Sequence, residues 1–128
     1  MKRILILWFV IAVGVAGCSL FDDDDNYLVH PLRTLDIDVD GMWSHGATFR
    51  FHSQLPDPCY EYYRTDIERN AVGVLVTVYA RRDRSLFCSC EVVDVFWNID
   101  VQVPTSGTYL FRFWETDSAT VDTTLFVP

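Results

Sequence analysis

The stretch VDVFWNIDVQV, residues 93–103, places Val93, Val95, Trp97, Ile99, Val101 and Val103 at every second position, with Asp94, Phe96, Asn98, Asp100 and Gln102 between them. Side chains alternate across an extended strand, so this spacing puts one apolar row on one face. On a helix the same row would wrap round the whole cylinder. The stretch therefore reads as a half-buried β-strand rich in β-branched and aromatic residues.

Working outward, the same period recurs. Leu35, Ile37 and Val39 alternate with Asp36, Asp38 and Asp40, and Ala47, Phe49 and Phe51 with Thr48, Arg50 and His52. Val72, Val74, Val76 and Val78 form a third row. Tyr109, Phe111 and Phe113 follow residues 93–103, and then Val121, Thr123, Leu125 and Val127. Turn chemistry separates them: Gly41, Pro56-Asp57-Pro58, Asn70, Arg81-Arg82-Asp83-Arg84 as a polar loop tip, and Pro104-Thr105-Ser106-Gly107. No stretch after the leader has helical periodicity, and no strand–helix–strand alternation occurs. The expected class is all-β, an antiparallel sandwich of about seven or eight strands over residues 31–128.

The N-terminus follows different rules. Lys2 and Arg3 precede the apolar run Ile4 to Val13, and Gly14 to Gly17 are small or weakly apolar. That order is a secretory signal peptide over residues 1–17, too short for a membrane-spanning helix. Its end, Val15-Ala16-Gly17-Cys18, resembles the bacterial lipobox. The resemblance covers those four residues and the segment before them. It implies cleavage before Cys18 and fatty acylation of that cysteine, palmitate-type chains holding the protein to the bilayer. More than one acyl chain is needed for stable anchorage. Residues 18–30 then carry Asp22 to Asp25 and read as an acidic, hydrated tether. The segment also resembles the acidic export signals of surface-exposed lipoproteins. The implied location is the bacterial cell envelope, an outer membrane with a possible surface-exposed orientation.

Without residues 1–17 the chain keeps eight arginines against eighteen acidic residues, a formal charge of −10. Such a surface repels nucleic acid and anionic headgroups, so no nucleic-acid partner is expected. With Cys18 acylated, Cys59, Cys88 and Cys90 remain. An oxidising compartment favours one bridge and leaves one thiol over, expected to pack as a small hydrophobe. On a strand, Cys88 and Cys90 would point to one face and would not bridge each other comfortably, so Cys59 is expected to pair with either. No zinc spacing supports a metal use of the three.

The frame LPDPCY, VGVLVTVYA, FCSC and VDVFWNIDVQVPTSGTYLFRF, from about Cys59 to Val127, resembles the small immunoglobulin-like β-sandwich domains of bacterial lipoproteins. The resemblance includes Gly107-Thr108-Tyr109 at the start of a late strand. It implies a binding or supporting module and carries no catalytic residue.

Candidate chemistry is sparse. Asp36-x-Asp38-x-Asp40-Gly41 copies half of an EF-hand loop, but Ala47 stands where the bidentate glutamate belongs, so an acidic strand face is the better reading. His30, His45 and His52 match no ligand spacing, and no serine has a nucleophile-elbow context. No enzyme activity, metal or cofactor is expected. Leu75, Tyr79, Phe96, Leu110, Trp114 and Phe126 occupy positions that alternation assigns to outer faces, and aligned strands would gather them into one apolar-aromatic patch. Trp43 is a separate exposed aromatic in the Gly41–Gly46 loop. These residues suit an envelope protein or glycan, and a structural subunit or spacer of an envelope assembly is the alternative.

Overall fold

The computed structural model describes residues 26–71 and 73–128, which form eight strands and, among the described residues, no helix. They are β1 (Tyr27–Pro31), β2 (Asp36–Trp43), β3 (Gly46–Leu55), β4 (Glu61–Arg69), β5 (Val74–Asp83), β6 (Val93–Gln102), β7 (Gly107–Thr116) and β8 (Ala119–Val127). Val72, the first member of the valine row, lies outside the described residues, as does the whole of 1–25.

Two sheets stack. One holds β2, β3 and β6 in that order, all antiparallel. The other is built round β5, with β4 along one edge. β1 and β7 divide the remaining edge. β1 pairs antiparallel with Tyr79 to Asp83, and β7 pairs parallel with Val74 to Val76 before passing to β8. The sandwich is thus mostly antiparallel, with one parallel pairing that the expectation of a purely antiparallel fold did not include. Its cause is the shortness of β1, which leaves half of the β5 edge for a strand arriving from the other sheet.

The core follows the period-two rows. Phe49 and Phe51 of β3 face Phe111 and Phe113 of β7, with Val74, Val76 and Val78 of β5 beside β7 in the same sheet, and all are buried. The Phe49 ring lies 4.9 Å from Phe111 and 5.0 Å from Phe113, centroid to centroid, the latter edge-on. Each such side chain contributes about 1.5–3 kcal/mol by burial, and tilted ring pairs add to it.

Three local expectations change. Tyr27 to His30, read as the end of the tether, belong to β1. The chain then crosses between sheets along residues 32–35, pinned by hydrogen bonds at Leu32, Thr34 and Leu35. The Leu32 amide donates to Val78, the Thr34 amide and hydroxyl both donate to Trp114, and the Leu35 amide donates to His52. Arg81 to Asp83, read as a loop tip, are the end of β5, and Arg82 is buried because it continues the inward parity of Val74, Val76, Val78 and Ala80. The β2 row is only partly covered: Leu35 and Val39 are exposed, because a bulge between Val39 and Gly41 turns this edge strand away.

The turn from β4 to β5 needs glycine. Gly73 has φ 157°, and a Cβ there would run into the Leu110 carbonyl. Asn70 closes the turn by exchanging backbone hydrogen bonds with Gly73 and accepting its amide on Oδ1 at 3.0 Å.

Candidate functional site

The most buried polar cluster sits where β5 ends. Asp57 is 0 % exposed and its carboxylate lies 3.0 Å from Arg82 Nε. The Cys59 amide donates to Asp57 Oδ1 at 2.8 Å, and Arg82 Nη2 donates to the Leu86 carbonyl at 2.9 Å. Cys59 and Cys88 are bridged, Cα to Cα 6.0 Å, so the disulfide straps the β5–β6 loop to the β3–β4 loop over this ion pair. Beside it, burial and the Asp57 charge push the Tyr60 phenol above its ordinary value, with Arg82 opposing. Asp57, Cys59 and Cys88 bring donor atoms within 4.8 Å of one another. The two sulfurs are joined and the carboxylate is held by Arg82, so the cluster is a structural corner. Neither Asp57 nor Arg82 stood out in the sequence. The available signal was the continued parity at position 82.

The structure selects Cys88 over Cys90 as the partner of Cys59. The expected spare thiol is corrected: among the described residues no cysteine is free, Cys90 included. Cys18 lies outside the described residues.

The outer face of the five-stranded sheet carries Leu75 and Tyr79 on β5, Leu110 and Trp114 on β7, and Phe126 on β8. At one end a groove of about 270 Å³ is lined by Trp114, Leu75, Asn70, Arg112, Asp117 and Thr120, an aromatic plane edged by hydrogen-bonding groups. Arg112 reaches Asp122 across the β7–β8 pair at 3.6 Å. At the other end, Arg64 lies 4.6 Å over the Tyr79 ring, and Arg81 4.6 Å over Tyr27 and 5.1 Å over Tyr63. Glu61 accepts a 2.8 Å hydrogen bond from Arg81 and holds its guanidinium above its ordinary value.

Phe96 does not join this face. It stands on β6, in the other sheet, so the single patch expected from alternation is corrected to two separate surfaces. Alternation assigns a side chain to a face but not to a sheet. Phe96 is 54 % exposed, stacks on His52 at 4.4 Å and lies under Arg50 at 4.8 Å. His52 Nε2 is 3.0 Å from Asp94, Gln54 also donates to Asp94, and these hydrogen bonds hold its carboxyl below the ordinary value. Thr48 donates to Asp100 at 2.7 Å. Trp43 closes β2 with its indole laid over Gly46, where a Cβ would collide with the ring. Asp36, Asp38 and Asp40 are exposed along β2. His30 tilts against Tyr60 at 5.7 Å, and His45 takes φ 63° in the β2–β3 turn.

A further recess lies where the edges of the two sheets meet. Tyr62 of β4 points edge-on at Trp97 of β6, centroids 5.4 Å apart. Tyr62, Phe96, Trp97, Asn98 and Ile99 line a groove of about 310 Å³ there. Among known protein families, curated proteins and solved structures, nothing matches this chain.

Proposed function

We propose that the chain is a lipid-anchored envelope lipoprotein whose immunoglobulin-like sandwich is a non-catalytic binding or accessory module for a protein or glycan. The observation that carries the anchor is Val15-Ala16-Gly17-Cys18 at the end of an apolar run, with Asp22 to Asp25 just beyond it. The disulfide-strapped sandwich supports an oxidising location. Recognition suits a surface on which ionisable groups are held in pairs, such as His52 with Asp94 and Arg81 with Glu61, beside exposed aromatics.

Non-reducing peptide mapping of protein extracted from its native membrane tests the anchor. An N-terminal peptide that begins at Cys18 with added acyl mass supports it. An unmodified Cys18, or one joined by a disulfide to Cys90, overturns it. For the module, Trp114→Ala is expected to weaken retention on a polysaccharide column if a glycan occupies the Trp114 groove.

A further inference from the structure

We infer that the free edge of β6 is a docking site for an extended segment of a partner protein, which adds as a strand carrying apolar residues on one side and basic residues on the other. This deepens the binding-module proposal and rests on it.

The backbone comes first. The Val103 amide donates to the His45 carbonyl at 2.9 Å, which extends the β3–β6 register by one pair. In an antiparallel ladder hydrogen-bonded and non-bonded pairs alternate. The odd-numbered residues of β6 therefore bond to β3. Asp94, Phe96, Asn98 and Asp100 turn their N–H and C=O groups outward. A second observation agrees: the Gln102 carbonyl accepts a hydrogen bond from Arg69, on the β4 side. Among the described residues, no backbone group of Val93 to Val101 bonds to anything beyond β3.

Natural sheets guard such edges with bulges, charges, proline or cover. β2 has the bulge at Asp40 and three aspartates. β4 has a bulge between Tyr62 and Arg64, and Arg64, Asp66, Glu68 and Arg69 along its length. β8 lies beside β2, where the two sheets close. β6 is guarded more lightly: its charges are Asp94 and Asp100 alone, and from β4 only Tyr62, against Trp97, and Arg69, on the Gln102 carbonyl, reach it. Its ten pairs with β3 run unbroken, it contains no proline and no basic residue, and Val93, Val95 and Trp97 on its inward row are only half-buried.

The occupant follows from chemistry. Outward N–H and C=O groups repeating every second residue match another polypeptide backbone, as in strand addition. Inward side chains of the added strand would enter the groove lined by Tyr62, Trp97 and Ile99. Its outward side chains would flank Asp94 and Asp100, so basic residues complement them. A second copy of this chain fits less well. It brings the same negative charge, and a two-fold centred on Trp97 would set Asp94 against Asp100.

The test uses a fluorescein-labelled, strand-length peptide alternating valine and arginine, with a valine–glutamate peptide as the control. The valine–arginine peptide is expected to bind at least about tenfold more tightly, and more weakly as salt rises. Asn98→Pro deletes an outward N–H and leaves the β3 ladder intact, so affinity should fall about three- to tenfold. Phe96→Lys should do the same, while Thr124→Lys, an equal charge on exposed β8, leaves affinity unchanged. The wild-type peptide pair stands even if a variant fails to fold. Equal affinity for both peptides, no binding, or indifference to both β6 variants would overturn the inference. So would a wild-type dimer, seen by sedimentation, that Phe96→Lys dissociates. A native protein or glycan partner that binds Phe96→Lys as well as wild type would overturn the β6 site and leave the module proposal standing.

Discussion

The two sides of the sandwich where sheet edges meet are built differently. On one side β2 comes against β8, and the β2–β3 turn is tied to the C-terminus by the His45 amide donating to Pro128. On the other, β4 and β6 stand apart over a groove bridged by Tyr62 and Trp97. The closed side carries its aspartates and bulge on β2, where burial is poor. The open side keeps a regular β6 whose inward apolar row is buried at Ile99 and Val101 and half-covered at Val93 to Trp97. Guarding an edge and burying it compete. Charges and bulges that discourage pairing also lift a strand off the core.

Both sides hang on β3, so the hardest blow to the comparison falls there. Phe49→Ala is expected to cost about 3–5 kcal/mol, measured by urea unfolding. Amide protection in β2 and β6 should fall together. Protection lost from one alone would show that the two sides do not share a support. The disulfide separates them more finely. Replacing Cys59 and Cys88 with serine is expected to cost about 3–4 kcal/mol for a closed loop of this length in the chain-entropy model. Because the bridge straps the loop that leads into Val93, exchange should quicken first at the start of β6, before β2 responds.

Smaller changes sharpen the contrast. Gly73→Ala places a Cβ against the Leu110 carbonyl at a backbone angle alanine resists. A loss of about 1–3 kcal/mol is expected, together with a shift of β4 that alters Tyr62 fluorescence contacts with Trp97. The smallest effect is acid dependence on β6. Asp94 has its folded pKa held below the ordinary 3.8 by His52 and Gln54. Its contribution is therefore present above that value and lost as pH falls through the lowered one. Asp94→Asn should flatten this acid limb in urea midpoints followed with pH. An unchanged limb would mean the His52–Asp94 contact is not maintained in solution.

The sequence announced the strands wherever a row alternated cleanly, and Phe49, Phe51, Val74, Val76, Phe111 and Phe113 are buried as their parity requires. It concealed the positions where parity and polarity disagree. Arg82 occupies an inward slot, and a charged residue there reads as loop until its buried partner Asp57 is known. β1 was hidden because Tyr27 to Pro31 adjoin an aspartate run that reads as solvated chain. Phe96 was misplaced because alternation cannot say which sheet a strand joins. The choice of Cys88 over Cys90 depends on the path of the β5–β6 loop, which no local pattern encodes. The open edge itself was written in residues 93–103, in the absence of any bulge, proline or basic residue. It became meaningful only when β6 proved to be the last strand of its sheet.

Residue-resolved amide exchange, without and with the valine–arginine peptide, tests the open edge of β6 most directly. In the free protein the amides of Val95, Trp97, Ile99 and Val101 should exchange slowly, and those of Phe96, Asn98 and Asp100 quickly. Added peptide should slow the second set and leave β2 unchanged. Slow exchange at Phe96 and Asn98 in the free protein, or new protection on β2 instead, would contradict the account.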